Sequence, residues 1–199
     1  MFNSRLTFAV AVSAAALVSA CQKPQEPAAN DMVAANDMGA TNEMAPAPMQ
    51  AAQLMDADGK AIGQVEMSED ANGVTLKVTA AGLPAGTHGV HLHEKGMCEG
   101  PKFESAGGHW NPATKQHGRD NPMGAHLGDL ANMEAAEGTE ASSTYLAAGV
   151  TMSGTGNALA DADGTSLVVH AKADDYKTDP SGNSGDRIAC AVLAPPMGG

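Results

Sequence analysis

Short stretches in which apolar and polar residues alternate with a period of two dominate the chain after residue 50. Residues 63–67 and 74–78 alternate in this way, and Asn72-Gly73 between them is a favoured hairpin turn. Residues 90–93 alternate as well, and the run at 188–193 is apolar throughout. No stretch of useful length has helical periodicity. The pattern predicts an all-β sandwich or barrel.

Two long segments interrupt the strand pattern, from Glu94 to about Ala125 and from Asp174 to Asp186. Both are rich in glycine, proline, asparagine and charged residues. Long loops within a compact domain usually carry function. We therefore expect two large functional loops laid over one side of the barrel.

The first 20 residues have the features of a bacterial targeting segment. Arg5 lies in a short polar start, and the apolar run Leu6 to Val18 is shorter than the roughly 20 residues that span a membrane. Small residues before Cys21 resemble a lipobox, which implies cleavage before this cysteine and its lipidation. The alternative is a secretory signal with an incidental cysteine. Lipidation would anchor the protein to a membrane without spanning it.

Residues 21–50 consist largely of alanine, asparagine, proline, methionine and acidic residues, which predicts a disordered tether. Met32, Met38 and Met44 recur in it at six-residue intervals. Thioethers suit Cu(I), so weak copper gathering is an alternative to a plain solvated spacer. The remaining residues, 51–199, suffice for one domain with a core.

The formal net charge is −12 at pH 7, which argues against nucleic acid as a partner. An anionic substrate would have to be attracted by a local field. If Cys21 carries lipid, Cys98 and Cys190 remain as a pair, and an oxidising compartment would let them form a disulfide.

Three histidines accompany the predicted strands. His91 and His93 are two residues apart, so on a strand their side chains emerge on the same face and can chelate a metal. His170 directly follows the apolar run 167–169. It is therefore placed to join this pair.

A second group of potential ligands lies in the first long loop and at its exit. His109, His117, His126 and Asp129 supply three imidazoles and one carboxylate, which suffice for tetrahedral zinc. Such a loop has little hydrophobic reason to become ordered, so a metal ion is its natural organiser. Scattered surface histidines are the alternative.

Five motifs of the chain have an order and spacing typical of one enzyme family. They are residues 88–94 (HGVHLHE), 108–112 (GHWNP), 126–130 (HLGDL), 169–175 (VHAKADD) and 185–190 (GDRIAC). Together they resemble the copper/zinc superoxide dismutase family over nearly all of the chain after residue 50. The resemblance implies a Greek-key β-barrel related to the immunoglobulin-like sandwich. It also implies dismutation of superoxide to dioxygen and hydrogen peroxide by copper redox cycling.

The resemblance implies one copper and one zinc ion per subunit. The implied copper ligands are His91, His93, His109 and His170. The implied zinc ligands are His109, His117, His126 and Asp129. His109 would bridge the metals and take up a proton during the cycle, which makes it catalytic together with Arg187, the match to the family's active-site arginine.

Further roles follow from the same resemblance. Asp174 would hydrogen-bond one copper ligand and one zinc ligand, and His88 would be a scaffold residue that binds no metal. Lys95, Lys102 and Lys177 are candidates for steering superoxide. The short segment 96–107, the brief loop 174–186 and Trp110, where phenylalanine is common, depart from the family and leave both the steering residues and a homodimer open.

The leading interpretation is a dismutase that protects a bacterial cell envelope, on its periplasmic or surface side, with superoxide as substrate and the membrane contacted only through lipid on Cys21. One rival is a dismutase-like barrel that stores or passes metal without turnover. Another is a structural lipoprotein. Arg187 and a bridging histidine favour the enzyme, because a metal store needs neither.

Overall fold

The computed structural model describes residues 50–198. The predicted targeting segment, Cys21 and the tether as far as residue 49 lie outside the described residues. Within residues 50–198 no helix is long and apolar enough to cross a membrane.

The described residues form strands, joined by turns and two long loops. The strands are β1 (Gln50–Asp56), β2 (Ala61–Asp70), β3 (Gly73–Ala81), β4 (Gly86–His88), β5 (Val90–His93), β6 (Met133–Ala135), β7 (Glu140–Ala148), β8 (Thr151–Ser153), β9 (Ala158–Ala160), β10 (Thr165–His170) and β11 (Arg187–Ala194). One turn of 3₁₀ helix, Glu104–Ala106, lies in the first long loop. The all-β prediction is confirmed.

Seven strands make one curled sheet in the order β5-β10-β11-β1-β2-β3-β7, with antiparallel pairing throughout. Its two end strands approach each other through a small second sheet. Only Gly89 separates β4 from β5, β4 pairs with β6, and β6 lies beside β7. A short parallel pair, β8 and β9, completes the set. The sheet thus curls into a barrel, as in the solved structures it resembles.

The period-two pattern of the sequence determines which side chains enter the barrel. In β3, Val74, Leu76 and Val78 are fully buried, whereas Lys77 between them is exposed. The predicted β2–β3 hairpin is present, with Asp70 paired to Gly73. Its two turn residues are Ala71 and Asn72, so Gly73 is the first residue of β3. A Cβ at Gly73 would lie 2.3 Å from the carbonyl oxygen of Ala147, which is why glycine fits this position.

The two long loops contact each other. The backbone N–H of His117 in the first loop donates to the carboxylate of Asp179 in the second, at 2.6 Å. Asn121 of the first loop donates its side-chain N–H to the carbonyl of Lys177. Each loop therefore limits the conformations that are open to the other.

A disulfide joins Cys98 of the first long loop to Cys190 of β11, across 92 residues of sequence. The predicted pairing is thereby confirmed. Cys190 is buried in a small apolar cluster with Phe103, Ala106 and Val168. The bond fastens the start of the loop to the barrel wall.

We expect the disulfide to contribute substantially to stability, because closing a loop of this length removes about 4 to 5 kcal/mol of unfolded-state entropy in the chain-entropy model. Replacing both cysteines, Cys98→Ala with Cys190→Ala, should lower the melting temperature of the metal-free protein by on the order of 10 °C. Differential scanning calorimetry measures this shift. A reductant should destabilise the parent protein and leave the double variant unchanged; equal effects on both would contradict the expectation.

Candidate metal centre

Two adjacent strands bring three histidines together. His91 and His93 lie on β5, and His170 ends β10, which pairs with β5 so that Val168 faces His91. All three imidazoles are buried. Leu92, between the β5 histidines, points into the hydrophobic core. The strand alternation therefore separates metal-facing side chains from core-facing ones.

His109 joins these three from the first long loop. One ring nitrogen from each of the four histidines lies within 4.8 Å of the others. We call these residues the four-histidine group: His91, His93, His109 and His170.

The four-histidine group contains unpaired nitrogens on its inner side. Nδ1 of His91 and Nε2 of the other three are buried and have no hydrogen-bond partner. The opposite nitrogens are engaged: His91 Nε2 with Asp174 (2.9 Å), His93 Nδ1 with the Gly107 carbonyl (3.1 Å), and His170 Nδ1 with the Gly185 carbonyl (3.2 Å).

A carbonyl oxygen can only accept a hydrogen bond, so Nδ1 of His93 and of His170 carries the hydrogen and Nε2 bears a lone pair. The carboxylate of Asp174 accepts from Nε2 of His91, so in this ring Nε2 carries the hydrogen and Nδ1 bears the lone pair. Buried nitrogen lone pairs that converge without a donor are costly unless a cation accepts them. These residues therefore fit a metal that takes imidazole ligands, such as copper.

Electrostatics keep these histidines in the neutral form that binds metals. Burial lowers the pKa of His109 to about 4 and that of His170 to about 3, since it disfavours the charged ring. Burial and the neighbouring His109 and Arg187 lower the pKa of His93 well below its ordinary value. The group therefore needs no deprotonation of these rings to bind a cation near neutral pH.

A second group is centred on Asp129. Nδ1 of His109, His117 and His126 lies 3.0, 3.0 and 3.1 Å from the same carboxylate oxygen, Oδ1. Ligands about 2.0 to 2.1 Å from a tetrahedral zinc ion are about 3.3 Å apart, so the distance from each of these nitrogens to Oδ1 suits two ligands of one zinc ion. The other oxygen, Oδ2, accepts the backbone N–H groups of Gly118 and His126. We call these four residues the aspartate-centred group.

His109 belongs to both groups. Its Nδ1 faces Asp129, and its Nε2 faces the four-histidine group without a partner. A single imidazole thus presents one nitrogen to each candidate metal position. The family resemblance implies such a shared histidine, and its role as a bridging ligand stays a prediction.

Asp174 connects the two groups by accepting hydrogen bonds from one histidine of each. Its Oδ2 accepts from His91 Nε2 and its Oδ1 from His117 Nε2, both at 2.9 Å. Burial would raise the pKa of this carboxyl, but its hydrogen bonds to His117 and His91 outweigh burial and hold the pKa well below its usual range. Asp174 is therefore an anion that orients one ring from each group.

Arg187 lies next to the four-histidine group. Its guanidinium donates to the carbonyl oxygens of Phe103 (2.7 Å) and Gly107 (2.6 Å), and the same Gly107 oxygen accepts from His93. Arg187 also lines a surface cavity of about 460 Å³, together with Pro101, Lys102, Glu104, Gly185 and Asp186. Of the three lysines considered for steering, Lys102 lines this cavity.

His88 is buried and belongs to neither group. Its Nδ1 lies 2.7 Å from the carbonyl of His170 and its Nε2 lies 2.8 Å from the carbonyl of Pro84. It therefore ties the end of β10 to the segment before β4. This geometry is that of a scaffold residue.

Two contributors carry no sequence signal. The side chain of Asn132 accepts from the backbone N–H of Asp174 (2.9 Å) and donates to its carbonyl (3.0 Å). Phe103 acts through its backbone carbonyl, which any residue type could supply. Sequence reasoning missed both, because neither contact depends on a motif spacing.

A barrel with two histidine groups that share one imidazole defines a protein built for a pair of metal ions. A sequence model of the family described as copper/zinc superoxide dismutase matches residues 61–193. The chain belongs to the copper/zinc superoxide dismutase family. It is a superoxide dismutase that uses copper and zinc.

The relatives include superoxide dismutase [Cu-Zn] 2 of Aquifex aeolicus, 43% identical over 144 residues that cover 71% of this chain and 84% of the relative. The Caulobacter vibrioides superoxide dismutase [Cu-Zn] is 46% identical over 139 residues, covering 68% and 80%. Among solved structures, a SOD-like protein from Bacillus subtilis is 42% identical with a TM-score of 0.69, covering 72% of this chain and 97% of that one.

Zinc uptake by the metal-free protein should release a proton from His117. Burial would lower the pKa of His117, but hydrogen bonds to Asp129 and Asp174 outweigh burial and raise it to about 9. The charged ring must therefore lose a proton to bind zinc at neutral pH. Titration calorimetry in buffers of different ionisation enthalpy should show proton release that declines as the pH rises through about 9.

The raised pKa of His117 also makes the stability of the metal-free protein depend on pH. Because the folded pKa lies above the unfolded value of 6.5, the charged ring stabilises the metal-free fold fully below 6.5, and this stabilisation disappears as the pH rises through about 9. Unfolding of the metal-free protein at several pH values measures the loss. Proton release that stays constant from about pH 7 to about pH 10 would contradict the predicted charge on His117.

Proposed function

We propose that the four-histidine group holds the redox copper and that the aspartate-centred group holds zinc. The copper ligands are then His91, His93, His109 and His170. The zinc ligands are His109, His117, His126 and Asp129. The observation that carries this assignment is the set of unpaired nitrogens, whose opposite ring nitrogens are all engaged by protein acceptors.

The surroundings of each group support this allocation. Arg187, which lines a surface cavity, shares the Gly107 carbonyl oxygen with His93 of the four-histidine group, so an anion held by this arginine would lie on that side of the group. Bound copper supplies one-electron redox chemistry, whereas zinc has none and contributes geometry and charge. We therefore assign copper, the redox metal, to the four-histidine group next to Arg187.

Arg187 guides the substrate in this proposal. The Phe103 and Gly107 carbonyls fix its guanidinium, and its remaining N–H groups are available to an anion. Superoxide carries one negative charge, so it would be positioned beside the four-histidine group. Lys102 would add positive charge at the same cavity, where it is exposed and forms an ion pair with Glu104 (3.9 Å).

His109 would supply the proton. Its Nε2 has no partner within the protein, and its Nδ1 is held in the aspartate-centred group. A proton held at Nε2 would lie on the inner side of the four-histidine group, where the reduced substrate needs it. The role requires a ring that can lose hydrogen from both nitrogens, which two cations make accessible.

A metal store is the second candidate function. The Bacillus subtilis relative is described as SOD-like, and its solved variants introduce histidine in place of tyrosine and proline. The present chain already carries all four histidines of the group. It also has Arg187, which lines a surface cavity and which storage does not require.

Two substitutions separate these functions. We expect His109→Ala to weaken both metal sites, because its ring contributes to both groups. Arg187→Ala should retain both metals and lower the rate constant for superoxide by about 10-fold or more, because it removes positioning only. Elemental analysis and pulse-radiolysis kinetics provide the readouts. Equal metal loss in the two variants would refute the roles, and a fully loaded protein without turnover would favour the store.

We also propose that the protein works in a bacterial cell envelope, anchored through lipid on Cys21. The arrangement is a targeting segment at 1–20, a tether at 21–50 and the enzyme domain at 51–199. The disulfide supports an oxidising compartment. A homodimer stays a prediction, which sedimentation of the domain would measure.

Lipidation is tested by Cys21→Ser in the full chain expressed in bacteria. The parent should partition into detergent phase and gain mass from acyl chains, whereas the variant should be soluble and equally active. Cys98 and Cys190, being joined to each other, cannot take up the lipid in the variant. A parent protein without acyl mass would leave a plain secretory signal as the correct interpretation.

A further inference from the structure

Tyr176 contacts the metal centre from outside it. Its backbone N–H donates to Oδ1 of Asp174 at 2.7 Å, the oxygen that also accepts from His117. Its phenol oxygen accepts the backbone N–H of Asn132 at 2.8 Å. Asn132 in turn binds the main chain of Asp174 at both N–H and C=O. These three residues form a closed ring of hydrogen bonds around the carboxylate that joins the two groups.

The backbone of Tyr176 adopts a conformation that is uncommon for a tyrosine. Its φ is 61°, in the left-handed region. This conformation allows its N–H to face Asp174 while its carbonyl accepts from Asp120 of the first loop at 3.0 Å. Non-glycine residues in this region cost free energy and persist where the surrounding contacts hold them.

Arg119 is the contact that covers Tyr176. The guanidinium carbon of Arg119 lies 3.7 Å from the centre of the Tyr176 ring, a cation–π geometry. Arg119 is two residues after His117, in the loop that supplies this ligand. The side-chain stack therefore joins the loop of His117 to the residue that holds Asp174.

We propose that Arg119 and Tyr176 act as positioning residues for the metal centre, by holding Asp174 against His117 and His91. We call the pair the Arg119–Tyr176 clamp. The proposal rests on the ligand assignment given under Proposed function. The clamp slows the departure of zinc, because His117 cannot swing away from the aspartate-centred group while Asp174 is held.

The measurement is the rate of zinc release from the fully loaded protein to a chromogenic chelator. Arg119→Gln should speed release about 2- to 5-fold, the size of an exposed cation–π contact. Tyr176→Phe should speed zinc release about 5-fold by leaving the Asn132 N–H unpaired, and Tyr176→Leu should speed it about 10-fold or more.

Lys115→Gln is the matched control, because Lys115 is exposed, carries the same charge and is also two residues from His117. It should change release by less than about 2-fold.

A double-substitution comparison tests whether Arg119 acts through the ring. With Tyr176→Phe, which keeps the ring, Arg119→Gln should still speed release by its full factor. In the Tyr176→Leu background, which lacks the ring, Arg119→Gln should not change the rate of zinc release further. An undiminished effect of Arg119→Gln in the Tyr176→Leu background would overturn the clamp. If that variant fails to fold, equal release rates for Arg119→Gln and Lys115→Gln would overturn it instead.

A spectroscopic readout separates positioning from general stability. Asp174 also holds His91, so Tyr176→Leu should shift the visible absorption and the electron paramagnetic resonance of bound copper, and Lys115→Gln should not. An unshifted spectrum, with only a lower melting temperature, would mean that Tyr176 is merely structural.

Asp129→Asn distinguishes the failure of the clamp from the failure of the ligand assignment. If this variant keeps zinc as tightly as the parent, the assignment fails and the clamp fails with it. If it loses zinc while the Arg119 and Tyr176 variants release zinc at the parent rate, only the clamp fails.

Discussion

The hydrogen bonds of Asp174 to His91 and His117 are the interactions on which the site depends. Each bond holds a hydrogen on Nε2 of a buried imidazole, and so turns Nδ1 of that ring toward the metal position. A neutral asparagine would lack two equivalent acceptor oxygens and could not hold both rings in the same sense. The carboxylate stays ionised because both rings donate to it, which is why its pKa lies well below the usual range. One anion thus determines the orientation of a ring in each group.

Charge is arranged on two scales in this enzyme. The whole chain carries a formal charge of −12, which repels an anion at long range and is screened beyond about 8 to 10 Å at physiological salt. At short range, the cavity lined by Arg187 holds two cations, Arg187 and Lys102, and two carboxylates, Glu104 and Asp186. The hydrogen bonds of Arg187 go to neutral carbonyl oxygens, so its guanidinium keeps its full positive charge.

The parts of the structure that depend on side-chain periodicity were predictable from sequence. The alternation at 74–78 places every second side chain of β3 in the core, as a period of two dictates. The same period places His91 and His93 on one face of β5. Motif spacing likewise anticipated which histidines gather. Asn132 and the Phe103 carbonyl were not predictable, because their roles depend on where the chain turns in three dimensions. The left-handed backbone of Tyr176 is another case, since tyrosine gives no sign of it.

Fold and chemistry meet on β11. This strand begins with Arg187 and, three residues later, carries Cys190, whose disulfide holds the first long loop. Between Cys98 and Gly107 that loop buries Phe103 against Cys190 and turns its carbonyl toward Arg187. Arg187 is therefore oriented by a loop that the disulfide joins to the same strand, β11. The disulfide accordingly contributes to the orientation of Arg187 as well as to the stability of the fold.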